Sequence, residues 1–302
     1  MLTDKVSFVI VTYNRSKLLK KCLAHLTSFS SDNTDKIYVV DNSSTDDTQD
    51  VIWDFSSKFD NIRNIQLKVN SGGAGGFEVG CRLAYKDGAQ WICMLDDDVL
   101  IDPHYQDVIR KFPEVKCFIA VREDLSGALA EYCAIKFDYA NPLRINPKVS
   151  TIARQYSSRQ SLPELLKVDS GSFEGFFVYR SVIEKVGFPN KEFFIFGDDT
   201  DYSLRIKKSG FQIYAARDAR AVRQLPYVPA LKFDWKFYYR WRNFFALHFI
   251  YGENIFVKSR PLVMTLGLFF FCLSKGDALL SFKIFKDSIS LFKQLRDKSQ
   301  FY

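Results

Sequence analysis

Three adjacent carboxylates, Asp96-Asp97-Asp98, close the apolar run Trp91-Ile92-Cys93-Met94-Leu95. Neighbouring carboxylates repel one another unless a cation or a proton neutralises them. A hard divalent ion, Mn2+ or Mg2+, keeps part of its water, bridges phosphate oxygens and needs only one or two carboxylates. In an extended segment Asp96 and Asp98 project to one side and Asp97 to the other, so the first two form the expected metal pair. The alternative is a solvated acidic turn. A second cluster, Asp198-Asp199-Thr200-Asp201, follows the apolar run Phe193-Phe194-Ile195-Phe196 and Gly197. A carboxylate set against apolar walls holds its proton more tightly, which suits a general base. The same residues would equally start and cap a helix.

Three further segments carry polar groups where a ligand could meet them. Thr12-Tyr13-Asn14-Arg15 directly follows an apolar run, and Arg15 can pair with a phosphate or a base carbonyl. Asn14 is also a good helix cap. Asp41-Asn42-Ser43-Ser44 follows a second apolar run; Asp41 can take ribose hydroxyls or a base N–H, while the serines suit a turn and cap. Asn70-Ser71-Gly72-Gly73-Ala74-Gly75-Gly76-Phe77 suggests backbone in close approach to a ligand before a helix. It is neither a dinucleotide fingerprint nor a Walker loop. His25, His104 and His248 stand in no catalytic pairing, so a Ser-His-Asp or Cys-His hydrolase has no support.

The elements that must position these groups are legible. Residues 6–11, 37–40, 65–69 and 91–95 read as buried strands, and 15–29, 77–86 and a segment carrying Val51, Ile52 and Phe55 read as helices. Alternating strand and helix predicts an α/β fold with a mostly parallel sheet, with ligands at the carboxyl ends of the strands. Beyond these, a helix is expected at 103–112, strands at 117–121, 132–137 and 175–179, and helices at 181–186 and 199–209. Residues 141–162 read as a loop-rich insertion.

Composition excludes disorder: of 302 residues 47% are hydrophobic and 25% charged. The six scattered cysteines fit reduced thiols in a cytoplasmic protein, and the N-terminal apolar stretch is too short for a signal segment. The net charge of +7 belongs to residues 231–302, with 12 basic and 5 acidic side chains. Residues 261–273 form an apolar run below the roughly twenty residues a membrane span needs. Residues 277–298 alternate apolar and basic groups, which suits either an anionic membrane surface or a buried helical contact between subunits. Nucleic acid is disfavoured because aliphatic residues accompany the aromatic ones.

In order, Val-Ile-Val-Thr-Tyr-Asn-Arg (9–15), Val-Asp-Asn-Ser-Ser (40–44), the Asp triplet, Phe-Gly-Asp-Asp-Thr-Asp-Tyr-Ser-Leu-Arg (196–205) and Tyr-Tyr-Arg-Trp-Arg-Asn (238–243) resemble the family 2 inverting glycosyltransferases with the GT-A fold. The pairing of Asn70–Phe77 with Met94–Asp98 is most similar to the galactofuranosyltransferases, as is Gly175-Phe176-Phe177. The resemblance implies a catalytic domain over 1–230, its donor half at about 1–100 and its acceptor half at about 101–230, with a helical extension over 231–302. It implies that Thr12, Asn14, Arg15 and Asp41 contact the uridine of a UDP-linked donor. Asn70, Gly72, Gly73, Gly75 and Gly76 would lie near the nucleotide sugar. Asp96 and Asp98 would serve the metal and diphosphate, and Asp97 the sugar or its ribose.

Asp199, with Asp198 beside it, would deprotonate the acceptor. Phe176, Phe177 and Asp201 would face sugar. The expected donor is UDP-galactofuranose, with dTDP-rhamnose, UDP-galactose or UDP-N-acetylglucosamine as alternatives. The expected acceptor is a glycan or lipid-linked glycan, and the expected location the cytoplasm, where the protein could also sit peripherally on the inner face of the cell membrane. A nucleotidyltransferase and a non-catalytic sugar-binding protein are the rival classes. One departure stands out. Where the family usually has a metal-binding histidine, ungapped counting reaches Arg223, which cannot ligate a cation. Gln224 or water would then complete the ion's shell, or Arg223 would contact the diphosphate itself.

Overall fold

The strand β1 (Val6–Thr12) is buried along its whole length. Val9 and Val11 pack on one face of the sheet and Val6, Phe8 and Ile10 on the other, which is why the run is apolar without alternation. The structure is a computed structural model that describes residues 5–29, 34–226 and 233–298. After β1 come α1 (Ser16–Thr27), β2 (Thr34–Asp41), α2 (Thr48–Lys58), β3 (Ile62–Gln66), α3 (Gly72–Lys86), β4 (Trp91–Asp96) and β5 (Val99–Ile101). The middle of the chain forms α4 (Tyr105–Lys111), β6 (Cys117–Glu123), β7 (Ala134–Phe137), β8 (Lys148–Thr151), α5 (Ile152–Gln155) and β9 (Leu165–Val168). Then follow β10 (Phe176–Tyr179), α6 (Arg180–Val186), α7 (Asp198–Lys208), β11 (Ile213–Arg223), α8 (Trp235–Tyr251), α9 (Ile255–Ser274) and α10 (Leu279–Lys298).

The main sheet runs β3-β2-β1-β4-β10-β6-β11-β5, with β9 on β11, and β7–β8 form a separate hairpin. The first four strands are parallel, as the strand–helix alternation predicts. β10 enters antiparallel between β4 and β6. Register aligns the ends of the parallel strands: Thr12 lies opposite Asp41 and Val11 opposite Asp96. The polar residues that follow β1, β2 and β4 therefore meet at one edge.

Three expectations about local structure need correction. The glycine run is not a loop before a helix at Phe77; it is the first turn of α3. The insertion at 141–162 contains β8 and α5. The apolar tail segment is not confined to 261–273: Pro261 lies inside the 20-residue α9, which is long and apolar enough to cross a membrane by length and composition.

The three C-terminal helices pack on one another and on the body of the fold. Tyr251 Oη donates to Asp201 Oδ1 at 2.7 Å, and Arg260 Nη2 donates to the Asn141 carbonyl at 2.9 Å. α10 buries Ile284, Leu291 and Leu295, so of the two alternatives for residues 277–298 these apolar side chains follow the buried helical contact, made within the chain. α9 instead exposes Leu262, Val263, Leu266 and Phe270. All six cysteines are buried and unpaired.

Candidate active site

A cavity of about 380 Å³ opens at the carboxyl edge of the parallel strands. Asp96, Asp97 and Asp98 form one wall. β4 ends at Asp96, and the next two residues turn toward β5, so extended geometry no longer governs where Asp97 points. It faces the same cavity as its neighbours. Thr12 Oγ1 donates to Asp97 Oδ2 at 2.7 Å, and Arg15 Nη1 donates to Asp97 Oδ1 at 3.0 Å. The same Arg15 nitrogen lies 3.5 Å from Asp98 Oδ2, so one guanidinium bridges both carboxylates.

Burial drives Asp97 up to about 6, while Arg15 and Thr12 pull the other way. Asp96 is raised well above the ordinary carboxylate value, first by burial and then by the charges of Glu174, Asp98 and Asp97. Asp98 is raised by burial and Glu174, and its Oδ1 is buried without a hydrogen-bond partner. The cluster thus holds more negative charge than Arg15 offsets. Among the described residues no three His, Cys, Asp or Glu side chains form a ready metal cage. The oxygen chemistry of Asp96 and Asp98, with one carboxylate oxygen unmet, nevertheless fits a hard divalent ion that draws its other ligands from water and phosphate.

Glu174 has no motif around it and was not singled out from sequence. It lines the same cavity as the triplet and pairs with the buried Arg122 at 2.5 Å. Arg122 is in turn held by Glu131 through two hydrogen bonds of 3.0 and 2.9 Å. Arg223, at the end of β11, lines the cavity with its Nε 3.9 Å from Asp98 Oδ2 and 3.7 Å from Glu174 Oε2. The position where a histidine was expected therefore supplies a cation to the acidic wall.

The glycines divide by role. Gly72 and Gly73 line the cavity with Asn70, whose Oδ1 accepts from the Gly72 N–H at 2.8 Å. Gly72 has φ +73°, and a Cβ there would collide with the Phe194 carbonyl. Gly75 and Gly76 do not reach the cavity: a Cβ would meet Ser71 in one case and Val11 in the other, because α3 packs tightly on its neighbours. Asn42, which had no expected role of its own within the motif at 40–44, links the two segments. Its Nδ2 donates to the Gly72 carbonyl at 3.0 Å.

Two expected uridine contacts are occupied within the protein. Asn14, at φ +52°, joins the turns after β1 and β2: its Oδ1 accepts from the Thr45 N–H at 2.7 Å. Asp41 is fully buried and accepts from the Ser44 N–H at 2.9 Å and Gln49 Nε2 at 2.5 Å. Neither lines the cavity.

The opposite wall is the segment Phe194-Ile195-Phe196 and the start of α7, with Asp198 and Asp199. Burial and the neighbouring Asp199 push Asp198 up to about 8. Asp199 is raised by burial, but Lys148, the Thr200 N–H and Arg122 favour its ionised form. Burial raises both carboxyls, and the two titrate as a pair. The backbone that presents them is strained, since Phe194 and Phe196 have φ of +64° and +67°. α8 holds it in place. Arg242 Nη2 donates to the carbonyls of Glu192 and Phe193, and Asn243 Nδ2 reaches those of Phe193, Ile195 and Phe196 at 2.9, 2.8 and 2.7 Å. The Ala74 N–H also donates to the Phe194 carbonyl at 3.1 Å, tying the first turn of α3 to this segment.

The assignments of Phe176, Phe177 and Asp201 to a sugar face are corrected. Adjacent residues of β10 point to opposite faces of the sheet, and both rings are fully buried. Phe176 packs with Phe173 and Tyr202, and Phe177 stacks on Phe118 with ring centres 4.5 Å apart. Asp201 is buried against Asn190, Arg205 and Tyr251. The aromatic residues at the cavity are Tyr13, Phe77, Phe173, Phe194, Phe196 and Trp235.

Comparison with known proteins agrees with this arrangement. The family model described as Glycosyl transferase family 2 matches residues 7–187, more than half of the chain. The galactofuranosyltransferase GlfT1 of Mycobacterium tuberculosis is 28% identical over 221 residues, 72% of this chain and 69% of the relative. The glycosyltransferase AglE of Haloferax volcanii is 28% identical over 218 residues, 70% of this chain and 64% of the relative. Among solved structures, S. aureus TarS 1-349 in complex with UDP-GlcNAc superposes with a TM-score of 0.54 at 15% identity, over 87% of this chain and 71% of that one. The chain spans 43% of the longer TarS chain it also matches. GalNAc-T7 with UDP, GalNAc and Mn2+ gives a TM-score of 0.60 at 13% identity, over 85% and 50%. These likenesses establish the GT-A fold, and with the family match the chain belongs to glycosyl transferase family 2 and is a glycosyltransferase.

Proposed function

We propose that the protein transfers galactofuranose from UDP-galactofuranose to a hydroxyl of a glycan or lipid-linked glycan, with inversion at the anomeric carbon. The observation that carries this reading is a single cavity with a cation-bridged acidic wall at the sheet edge and the Asp198–Asp199 pair across from it. The 28% identity to a galactofuranosyltransferase over most of both chains supports the donor, and the UDP-GlcNAc bound to TarS supports a nucleotide-sugar ligand in general.

In this reading Asp199 takes the proton of the acceptor hydroxyl as its oxygen attacks the anomeric carbon, and the bond to UDP breaks on the opposite side. Asp198 stays protonated and keeps a second negative charge out of the base's surroundings. Arg15 and Arg223 meet the diphosphate, and Thr12 fixes the orientation of Asp97. Asn70, Gly72 and Gly73 line the donor. Asp96 and Asp98 would hold Mn2+ or Mg2+, which when bound neutralises charge on the leaving diphosphate. The exposed apolar face of α9 would rest in the cytoplasmic membrane surface.

The test is product analysis with UDP-galactofuranose, UDP-galactopyranose, UDP-N-acetylglucosamine and dTDP-rhamnose, each with and without EDTA. Transfer from UDP-galactofuranose with UDP released supports the proposal. Preference for another donor overturns the sugar assignment, and release of pyrophosphate overturns the reaction class.

A further inference from the structure

A second cavity, of about 390 Å³, opens beside the first and shares Phe196 with it. Its walls are Phe196, Trp241, Phe244, Leu247 and Met264, with Ile145 at the rim. Gly197 and Thr200 also line it, so it runs along the flank of the turn that presents Asp198 and Asp199. The volume lies within the range of roughly 300–1,000 Å³ usual for small-molecule sites. No carboxylate lines it; Asn146, Thr200, Asn243 and the buried, unpartnered Nε1 of Trp241 add a few polar atoms to a wall that is otherwise apolar and so favours hydrocarbon.

Two features say what kind of hydrocarbon belongs there. Arg240 lines the cavity with its guanidinium 5.1 Å from the centre of the Phe196 ring, beside the residue that both cavities share. An anionic group joined to the hydrocarbon would meet that cation next to the reaction cavity. Met264 belongs to α9, whose outer surface exposes Leu262, Val263, Leu266 and Phe270, each by more than half. Apolar surface therefore continues from the cavity onto the outside of α9.

We propose that the second cavity holds the aliphatic chain of the acceptor lipid, with Arg240 on its anionic linking group and the acceptor hydroxyl directed past Phe196 to Asp199. This rests on the lipid-linked acceptor reading above and adds the site and the head-group charge. Hydrocarbon beside the base explains why a sugar transferase devotes strained aromatic backbone to a wall that touches both cavities.

Calorimetry on the full chain with dodecyl phosphate, below its micelle concentration, tests the site against butyl phosphate. Dodecyl phosphate should bind at least tenfold more tightly. Met264→Asp and Ile145→Asp should each weaken it at least fivefold, whereas Leu266→Asp, on the outer face of α9, should not. Ile145 is 65% exposed, so its replacement leaves the core intact even if the Met264 variant misfolds. Equal affinity for the two phosphates overturns the proposal. So does an equal loss in the Leu266 variant, which would put the chain on the helix surface. UDP binding is measured on the same samples. Its absence in the unaltered chain counts against the donor reading alone, and failure of dodecyl phosphate with UDP binding intact counts against this inference alone.

Discussion

Asn243 Nδ2 lies 2.7 Å from the carbonyl oxygen of Phe196, a residue held at φ +67° immediately before the turn that presents Asp198 and Asp199. Asn243 comes from α8, outside the span matched by the family model, yet it satisfies the backbone that positions the acidic pair. Asn243→Ala should leave these buried carbonyls unmet at a cost of about 1–3 kcal/mol. The expected result is a lower melting temperature and a fall in kcat of at least tenfold, with UDP affinity nearly unchanged. A variant with full kcat would show that the segment keeps its shape without α8.

Asp199→Asn should abolish transfer while leaving UDP binding intact. Loss of a positioned base costs about 100- to 10,000-fold. Steady-state transfer assays paired with UDP calorimetry separate the two effects, and turnover near the native rate would assign the base elsewhere.

Asp198 makes stability depend on pH. Its value is near 3.8 when exposed and about 8 in the fold, so across that window the folded chain binds more protons than the unfolded one. Stability from this group is fully present below the lower value and declines as pH rises through the upper one. Melting temperatures measured from pH 5 to 9 should fall more steeply for the native chain than for Asp198→Asn. Parallel curves would mean that the folded carboxylate is ionised throughout.

Arg15 supplies the chain's own positive charge between Asp97 and Asp98. Arg15→Ala should weaken UDP binding at least tenfold. It should also make Mn2+ more stabilising than in the native chain, because the ion then offsets charge that Arg15 no longer covers. Thermal shifts with Mn2+ and with EDTA test this; equal shifts in both proteins would remove Arg15 from the charge balance.

Two neighbouring glycines should respond in opposite directions. A Cβ on Gly73 meets nothing within 4 Å, whereas one on Gly76 collides with Val11. Gly73→Ala should stabilise the helix by about 0.5–1 kcal/mol, and Gly76→Ala should destabilise it by about 1–3 kcal/mol through overpacking. Urea denaturation measures both.

These glycines show where sequence reading succeeds and where it fails. The strand ends were legible because buried parallel strands leave uninterrupted apolar runs that stop at the ligand edge, as at Val11 and Leu95. The glycine run was legible as an anomaly, but its cause was divided: Gly72 yields to the Phe194 carbonyl, and Gly76 to a strand side chain. Phe176 and Phe177 misled because adjacent aromatic residues suggest one surface, whereas a strand sends them to opposite faces. Glu174 gave no signal and Asn42 stood out only within the motif after β2, since each works through partners distant in sequence. In the tail, Pro261 looked like a boundary although it lies within α9, and the basic pattern of α10 did not reveal which helix would cover its apolar face.

The hydrogen bond from Ala74 to the Phe194 carbonyl has a consequence for engineering. The turn that borders the donor and the segment that presents the base share a fixed point, so neither can be redesigned alone. Exchanging residues in Asn70–Gly73 to admit a different sugar will shift the base as well, and turnover will fall even where binding improves. Lys236 borders the same cavity from the first turn of α8, whereas its neighbour Trp235 packs edge-on against the ring of Phe194, with centres 6.3 Å apart, and so shares that joint. A change of donor with turnover preserved is best sought at Lys236.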